Sequence, residues 1–398
     1  MSERDRPAAI THCPACGAEG LQPFYEVAAA PVHSVLLMPT REQALDFPRG
    51  RILLALCSDC GFITNAAFEA HLQAYGRGYE ATQAYSPTFR AFHERLARRL
   101  IERYALWGKT VLEIGCGQGE FLALLCELGG NRGIGFDPAL DPARAPILPG
   151  LTLIPDFYGP RYADLRADFV CCKMTLEHIA DPAAFVGMVR QSLGKAEETV
   201  VFFQVPEVMR ILREQAFWDI YYEHCSYFSA GSLARLFRRC GFRVDDVWCD
   251  YDGQYLMIEA RPTEADRGNP LPAEEPPAVV TAAVAAFAQG LEATRRRWQA
   301  ILEDIRRRGL RAAIWGGGSK AVAFLTMLAP TEAVGYVVDI NPHRQGTFLP
   351  GTGHAIVAPS FLAAWRPDVV IVMNPVYRDE IAAALQAMGL QPTLLTLA

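Results

Sequence analysis

Four cysteines stand in two Cys-x-x-Cys knuckles, Cys13-Pro14-Ala15-Cys16-Gly17 and Cys57-Ser58-Asp59-Cys60-Gly61. The glycine after each pair lets backbone amides turn toward the thiolates, and four such sulfurs suit tetrahedral zinc. A site closed by Cys13, Cys16, Cys57 and Cys60 leaves no open coordination position, so its expected role is structural. A redox centre would need one pair rather than two, in a βαβ context that is absent. A second chemistry is written in Val111-Leu112-Glu113-Ile114-Gly115-Cys116-Gly117-Gln118-Gly119, an apolar run entering a Gly-x-Gly-x-Gly turn ahead of a helical stretch. Such glycines allow a ligand to approach the backbone closely. Asp137 closes the next apolar run, 22 positions after Gly115, where an acid can accept both hydroxyls of an adenosine ribose. Glu120 stands where a dinucleotide fingerprint wants a small residue, which disfavours NAD at this turn.

Two further segments carry acid–base groups. Leu176-Glu177-His178-Ile179, followed by Asp181-Pro182, lies just after the apolar run ending at Cys172, at the carboxyl edge of a sheet where α/β folds bind ligands. His178 there reads either as a catalytic group or as a helix-start residue. Tyr221-Tyr222-Glu223-His224-Cys225-Ser226-Tyr227-Phe228-Ser229 suits neither a surface helix nor a core strand. Its plain alternative is a buried aromatic cluster with satisfied polar tips. Near the C-terminus, Gly316-Gly317-Gly318-Ser319-Lys320-Ala321 satisfies Gly-x-Gly-x-x-Ala, and Asp339 follows 23 positions after Gly316. Taken alone, that is a passable dinucleotide fingerprint; the rival is a purely structural Rossmann-like unit.

These groups need elements to hold them. The chain has 398 residues, 51% hydrophobic and 21% charged, which predicts two to three globular domains and excludes a disordered or fibrous chain. A net charge of −6 without blocks of like charge gives no field for nucleic acid or anionic membrane, so small-molecule partners are expected. The charged N-terminus has no apolar signal region and no stretch approaches the roughly 20 apolar residues of a membrane helix, which predicts a soluble cytoplasmic protein. Residues 1–69 read as a small metal-stapled module. Residues 70–260 alternate helical patterns with strand-like runs at Val111 to Ile114, Gly133 to Phe136, Asp168 to Cys172, Thr199 to Val205 and Tyr255 to Ala260. That alternation predicts an α/β domain with a mainly parallel sheet. The proline-rich stretch Arg261 to Pro277 reads as an ordered or semi-rigid linker. Residues 278–398 open with an apolar stripe, Val280, Val284, Phe287, Leu291, Thr294, Trp298, Ile301 and Ile305, the period of one long packing helix. A second α/β unit follows.

The acidic Glu113, the third glycine Gly119 and the later Pro155-Asp156-Phe157 resemble the S-adenosylmethionine (SAM) fold of class I methyltransferases. That resemblance implies cofactor contacts at Glu113, Gly115, Gly117, Gly119 and Asp137, with Asp156 holding the adenine amino group and Phe157 its ring face. The Tyr221 to Ser229 run resembles the Tyr-His-Glu-His-x-Ser-Tyr-Phe-Ser signature of sugar C-methyltransferases from deoxysugar pathways of natural-product biosynthesis. Tyr221, Glu223 and His224 match it, and Tyr222 replaces the first histidine. The resemblance covers nearly the whole chain: a four-cysteine zinc module, a central SAM domain and a C-terminal Rossmann-like domain. It implies His224 as general base, with substrate contacts in the stretch holding Tyr79, Gln83, Tyr85 and Ser86. In the third domain Gly346, Leu349-Pro350-Gly351-Thr352 and Asn374-Pro375 also look like the family's pattern. There the Gly318-Ser319-Lys320 helix start would suit the diphosphate of a nucleotide-linked sugar.

The expected reaction follows from the acceptor. A carbon beside a ketone becomes electron-rich only after losing a proton, and a histidine of ordinary pKa, about 6.5, can take it near neutral pH. His224 is expected to do so, with Glu223 orienting it and Tyr221 and His178 hydrogen-bonding the enolate oxygen. Rival readings are O- or N-methylation on the same architecture, an NAD(P)-dependent oxidoreductase using the C-terminal fingerprint, or a non-catalytic ligand-binding scaffold, the last disfavoured by acid–base residues beside the expected cofactor.

Overall fold

The computed structural model describes residues 9–397 except 74, 77, 195, 266 and 329. The first eight residues of the expected N-terminal module thus lie outside the described residues. That module is an antiparallel sheet ordered Gln22–Pro31, Arg49–Leu56, Ile63–Asn65 and Ser226–Tyr227. Alternation in the second strand turns Ile52, Leu54 and Leu56 into the core. The fourth strand comes from the Tyr221 to Ser229 run. The boundary expected at residue 69 therefore divides the chain but not the sheet. Tyr222, the departure from the resembled signature, is buried over Gly50, where an added Cβ would stand 2.2 Å from its ring. Its hydroxyl accepts the Glu69 N–H at 2.9 Å.

The central sheet has seven strands in the order Phe242–Asp250, Tyr255–Pro262, Val200–Pro206, Phe169–Lys173, Thr110–Ile114, Arg132–Phe136 and Leu151–Ile154. Tyr255–Pro262 runs antiparallel to the strands on both sides of it, and the pairings from Val200–Pro206 through to Leu151–Ile154 are parallel. The five expected strands are all present. The two that were missed, Leu151–Ile154 and Phe242–Asp250, are the sheet's edges, where half-exposed residues break up the apolar runs that mark buried parallel strands. The strand order reverses at Thr110–Ile114, which has the second strand in sequence on one side and the fourth on the other. A crevice opens there at the carboxyl ends.

The third sheet is parallel, ordered Ile356–Val357, Val334–Val338, Ala312–Trp315, Val369–Val372 and Thr393–Thr396. The helix Pro277–Arg307, about 46 Å long at 1.5 Å per residue, ties it to the rest. Val280, Val284, Phe287, Trp298 and Ile305 of the expected stripe are buried, joined by Leu302. Phe287 meets Tyr25 of the N-terminal sheet edge-on at 5.7 Å, and Trp298 meets Phe324 of the third domain at 5.2 Å. The proline-rich stretch is held through Arg238–Glu274 at 2.6 Å and the Gly231 N–H to Glu275 at 3.0 Å. The Leu349 to Thr352 loop closes a ring of domains: the Gly351 carbonyl accepts Arg49 at 2.7 Å, and the Phe348 N–H reaches the Met38 carbonyl at 2.9 Å. Among the described residues no helix is long and apolar enough to cross a membrane.

Candidate active site

The glycine turn leaves Thr110–Ile114 with Gly115, Gly117 and Gly119 all at positive φ, 71°, 58° and 85°. Their duties differ. A Cβ on Gly115 would stand 1.9 Å from Thr175 Oγ1 and one on Gly119 2.6 Å from Leu153, whereas one on Gly117 would meet nothing within 4 Å. Close packing thus demands the outer two glycines, and Gly117 faces open space. Asp137 accepts the Gly117 N–H at 2.8 Å through Oδ2 and the Ala139 N–H at 2.7 Å through Oδ1. Its carboxylate both closes the turn and lies on the cavity wall. Burial raises its pKa. Glu113 is buried with Oε2 unpartnered, and burial pushes its pKa up to about 7 against the pull of Lys173. Asp156 accepts the Phe157 N–H at 2.8 Å, the Tyr162 hydroxyl at 2.6 Å and Arg161. Phe157 is 62% exposed and stands at the cavity mouth. An orphaned buried carboxyl, open space beside the Gly117 Cα and an exposed aromatic wall fit a nucleoside cofactor at this turn.

The same cavity, about 520 Å3, holds the acid–base groups. The two motif segments are stitched together by their backbones: the Cys225 N–H donates to the Glu177 carbonyl at 2.9 Å, and Ser226 Oγ to the Ile179 carbonyl at 2.7 Å. This brings the His178 and His224 rings edge to face with centroids 4.8 Å apart, and Tyr221 within 4.2 Å of His224. Burial, with His178 and Lys320 nearby, holds His224 well below its ordinary pKa, and burial lowers His178 as well. Both rings are uncharged at neutral pH. His178 Nδ1 meets the Tyr75 hydroxyl at 2.9 Å.

Glu223 departs from expectation. Its carboxylate does not meet His224; it takes His33 Nδ1 at 3.0 Å, the Ser34 N–H at 2.9 Å and Ser34 Oγ. Burial opposes its charge, but His33, His178 and Ser34 together hold its pKa below the usual carboxylate range. Ser34 Oγ, its proton given to Glu223, accepts the Ser319 hydroxyl at 2.7 Å, so Glu223 anchors the N-terminal module to the third domain. Lys320 is also less free than expected: it pairs with Asp219, which Arg210 holds from the other side at 2.6 Å. Gly318, Ser319 and Lys320 line the cavity, as does Asn374, which exchanges hydrogen bonds with Gln254 at 2.9 and 3.0 Å.

The stretch after the zinc-type module crosses the cavity. Tyr79 packs on Tyr75 and His33, and Gln83 accepts the Tyr377 hydroxyl at 2.9 Å. Ser86 lies on the cavity wall, where it also caps the helix Pro87–Tyr104 and donates to Glu380 at 2.7 Å. Glu80, which sequence reasoning missed, meets Arg144 at 2.5 Å and Asn341 at 2.9 Å, tying this stretch to both α/β domains. Far from the cavity, the four knuckle sulfurs lie within 4.8 Å of one another, with the closest pairs at 3.6 and 3.7 Å. Tetrahedral zinc–sulfur bonds of about 2.3 Å would set sulfurs roughly 3.8 Å apart, so the donor set fits that ion.

Gly115→Ala is expected to weaken SAM binding at least about tenfold, because left-handed backbone costs an L-residue roughly 1–2 kcal/mol before the clash with Thr175 is relieved. Calorimetry checks it; an unchanged Kd would show that the turn does not carry the cofactor.

A family model described as a methyltransferase domain matches residues 89–247, and one described as a C-methyltransferase C-terminal domain matches residues 270–393. C-methyltransferase NovU of Streptomyces niveus is 29% identical over 309 residues, covering 72% of this chain and 71% of that protein. A tRNA U34 carboxymethyltransferase of Campylobacter lari is 31% identical over 105 residues, 24% of this chain and 34% of that protein. Among solved structures, the Burkholderia thailandensis 1,6-didemethyltoxoflavin-N1-methyltransferase with bound S-adenosylhomocysteine has a TM-score of 0.34 at 18% identity, covering 46% of this chain and 92% of that one. With its glycine turn, its acid-terminated second strand and its seven-stranded sheet, this chain is a SAM-dependent methyltransferase of class I fold.

Proposed function

We propose that the enzyme methylates a carbon next to a carbonyl, on a nucleotide-linked keto-deoxysugar. The observation that carries this reading is one cavity lined both by the glycine turn with Asp137 and by the uncharged His224 beside His178 and Tyr221. The C-methyltransferase model over the third domain and the likeness to NovU support the choice of carbon.

When bound, SAM supplies an electrophilic sulfonium methyl. Asp137 would hold its ribose, with Asp156 and Phe157 at its adenine. His224 removes the proton next to the carbonyl, and its buried ring, deprotonated through neutral pH, is ready to do so without a prior titration step. Tyr221, whose phenol burial keeps protonated, and His178 donate to the enolate oxygen as charge develops there. Glu223 acts as the anchor of the His33–Ser34 loop. The Gly318 to Lys320 helix start and Asn374 would face the nucleotide end. Cys13, Cys16, Cys57 and Cys60 would hold zinc as a closed structural centre.

Incubation with SAM and a panel of nucleotide-linked keto sugars, read by mass and then by product NMR, tests the reading. A gain of one methyl group at a carbon adjacent to the former carbonyl is expected. Methyl on oxygen or nitrogen, or transfer to none of the panel, would overturn it.

A further inference from the structure

Glu177 belongs to the Leu176–His178 turn and lines the cavity, yet it has no part in the chemistry described so far. It is 1% exposed, and among the described residues neither carboxyl oxygen has a hydrogen-bond partner from another residue. A buried carboxyl without partners costs free energy unless it carries a proton or faces a cation. One ligand atom from each of Glu177, His178 and His224 lies within 4.8 Å of the others. Glu223, the acid that the sequence offered as partner to His224, is consumed by His33 and Ser34.

Charge bookkeeping gives that carboxyl a task. A sulfonium brings one positive charge into the cavity. Once the carbon's electron pair has taken up the methyl group, the thioether left behind is neutral and the charge resides on the His224 imidazolium. That ion forms in a buried place where His178 and Lys320 already oppose it.

We propose that Glu177 is the positioning residue that balances this charge: it ionises when the cofactor binds, faces the His224 imidazolium after proton abstraction, and recovers the proton from His224 when the products leave. The inference rests on the reading of His224 as the base. Every proton is accounted for: one is released to solvent on cofactor binding, the substrate C–H proton passes to His224 and then to Glu177, and the cycle returns to a neutral pair. The groups facing Glu177 are compatible with a neutral resting carboxyl. His178 and His224, the phenols of Tyr75, Tyr79, Tyr221 and Tyr255, and the thiols of Cys172 and Cys225 are all uncharged at neutral pH, and the nearby Glu223 is already paired. Burial pushes Glu177 up to about 8, against the opposing pull of its own backbone amide.

The test is calorimetry of SAM binding near pH 7 in buffers of different ionisation enthalpy, with wild type and Glu177→Gln. Wild type is expected to release close to one proton more than E177Q, while the variant's turnover falls roughly 100-fold or more. Glu113 is present in both proteins and cancels from the difference. Equal proton release would overturn the proposal even if turnover fell, because a merely structural role would not move that quantity. Should E177Q fail to fold, Glu177→Asp keeps the carboxyl and is expected to retain the proton release with partial turnover; loss of the release there would be equally fatal. Activation by added Mg2+, Mn2+ or Zn2+ would also refute it, since a cation on this trio would occupy the His224 lone pair. Product NMR on wild type judges the carbon-methylation reading separately, so failure of the one is distinguishable from failure of the other.

Discussion

Replacing His224 by Asn is expected to cut methyl transfer by roughly 10²–10⁴-fold while leaving SAM affinity unchanged. Asn keeps the volume and polarity of the site but cannot accept a proton from carbon. Among the described residues the His224 ring makes no hydrogen bond, so the substitution leaves no partner orphaned and the fold is expected to survive. His178 is poorly placed to substitute, because its Nδ1 is engaged by Tyr75. The wild-type pH profile adds a second readout. Burial, His178 and Lys320 depress the His224 pKa, so the base stays deprotonated as pH falls through 6.5. At saturating SAM, where Glu177 is already ionised, the acid limb of kcat is therefore expected below pH 6.5, with the rate lost only under stronger acid, and it should vanish in H224N together with the activity. Wild-type turnover in H224N, or an acid limb near or above 7, would remove the residue from the chemistry.

Cys60→Ser is expected to cost as much by another route. A structural four-sulfur zinc site contributes on the order of 10 kcal/mol to folding, and loss of one thiolate forfeits a large part of that. The damage would not stay local. The knuckle Cys57 to Gly61 leads directly into Ile63–Asn65, which pairs with Ser226–Tyr227 two residues beyond His224. The same module supplies His33 and Ser34 to Glu223. Zinc content measured by mass spectrometry is expected to fall from one per chain to near none. Thermal stability and turnover should fall with it, although no group in the cavity has changed. A zinc-free C60S protein with wild-type stability and rate would show that the four sulfurs hold nothing the fold needs.

The locally encoded features were legible. The glycine turn, its acid at Asp137, the knuckles, the five inner strands and the stripe of the Pro277–Arg307 helix are patterns over a few to some 30 residues. Hydrophobic periodicity and glycine spacing act on backbone geometry at that range, so they can be read before any packing is known. The edge strands Leu151–Ile154 and Phe242–Asp250 escaped because their half-exposed residues interrupt the same signal.

Side-chain partnerships follow a different logic. Glu223 and His224 are neighbours in sequence and were expected to work as a pair, yet the acid turns to His33 and Ser34, about 190 positions away, and the base turns to His178. Lys320 looked like a free cation for a diphosphate and is paired with Asp219. Ser86 looked like a substrate contact and, on the cavity wall, also caps a helix. Glu177 carried no signal of its own beyond standing next to a histidine. The sequence by itself determined which backbone turns and strands form and which residue types they present, because those depend on short-range sterics and periodicity. Which acid faces which base was decided only when three domains closed on one cavity, because buried charges and hydrogen bonds are satisfied by whatever long-range packing brings within about 3 Å.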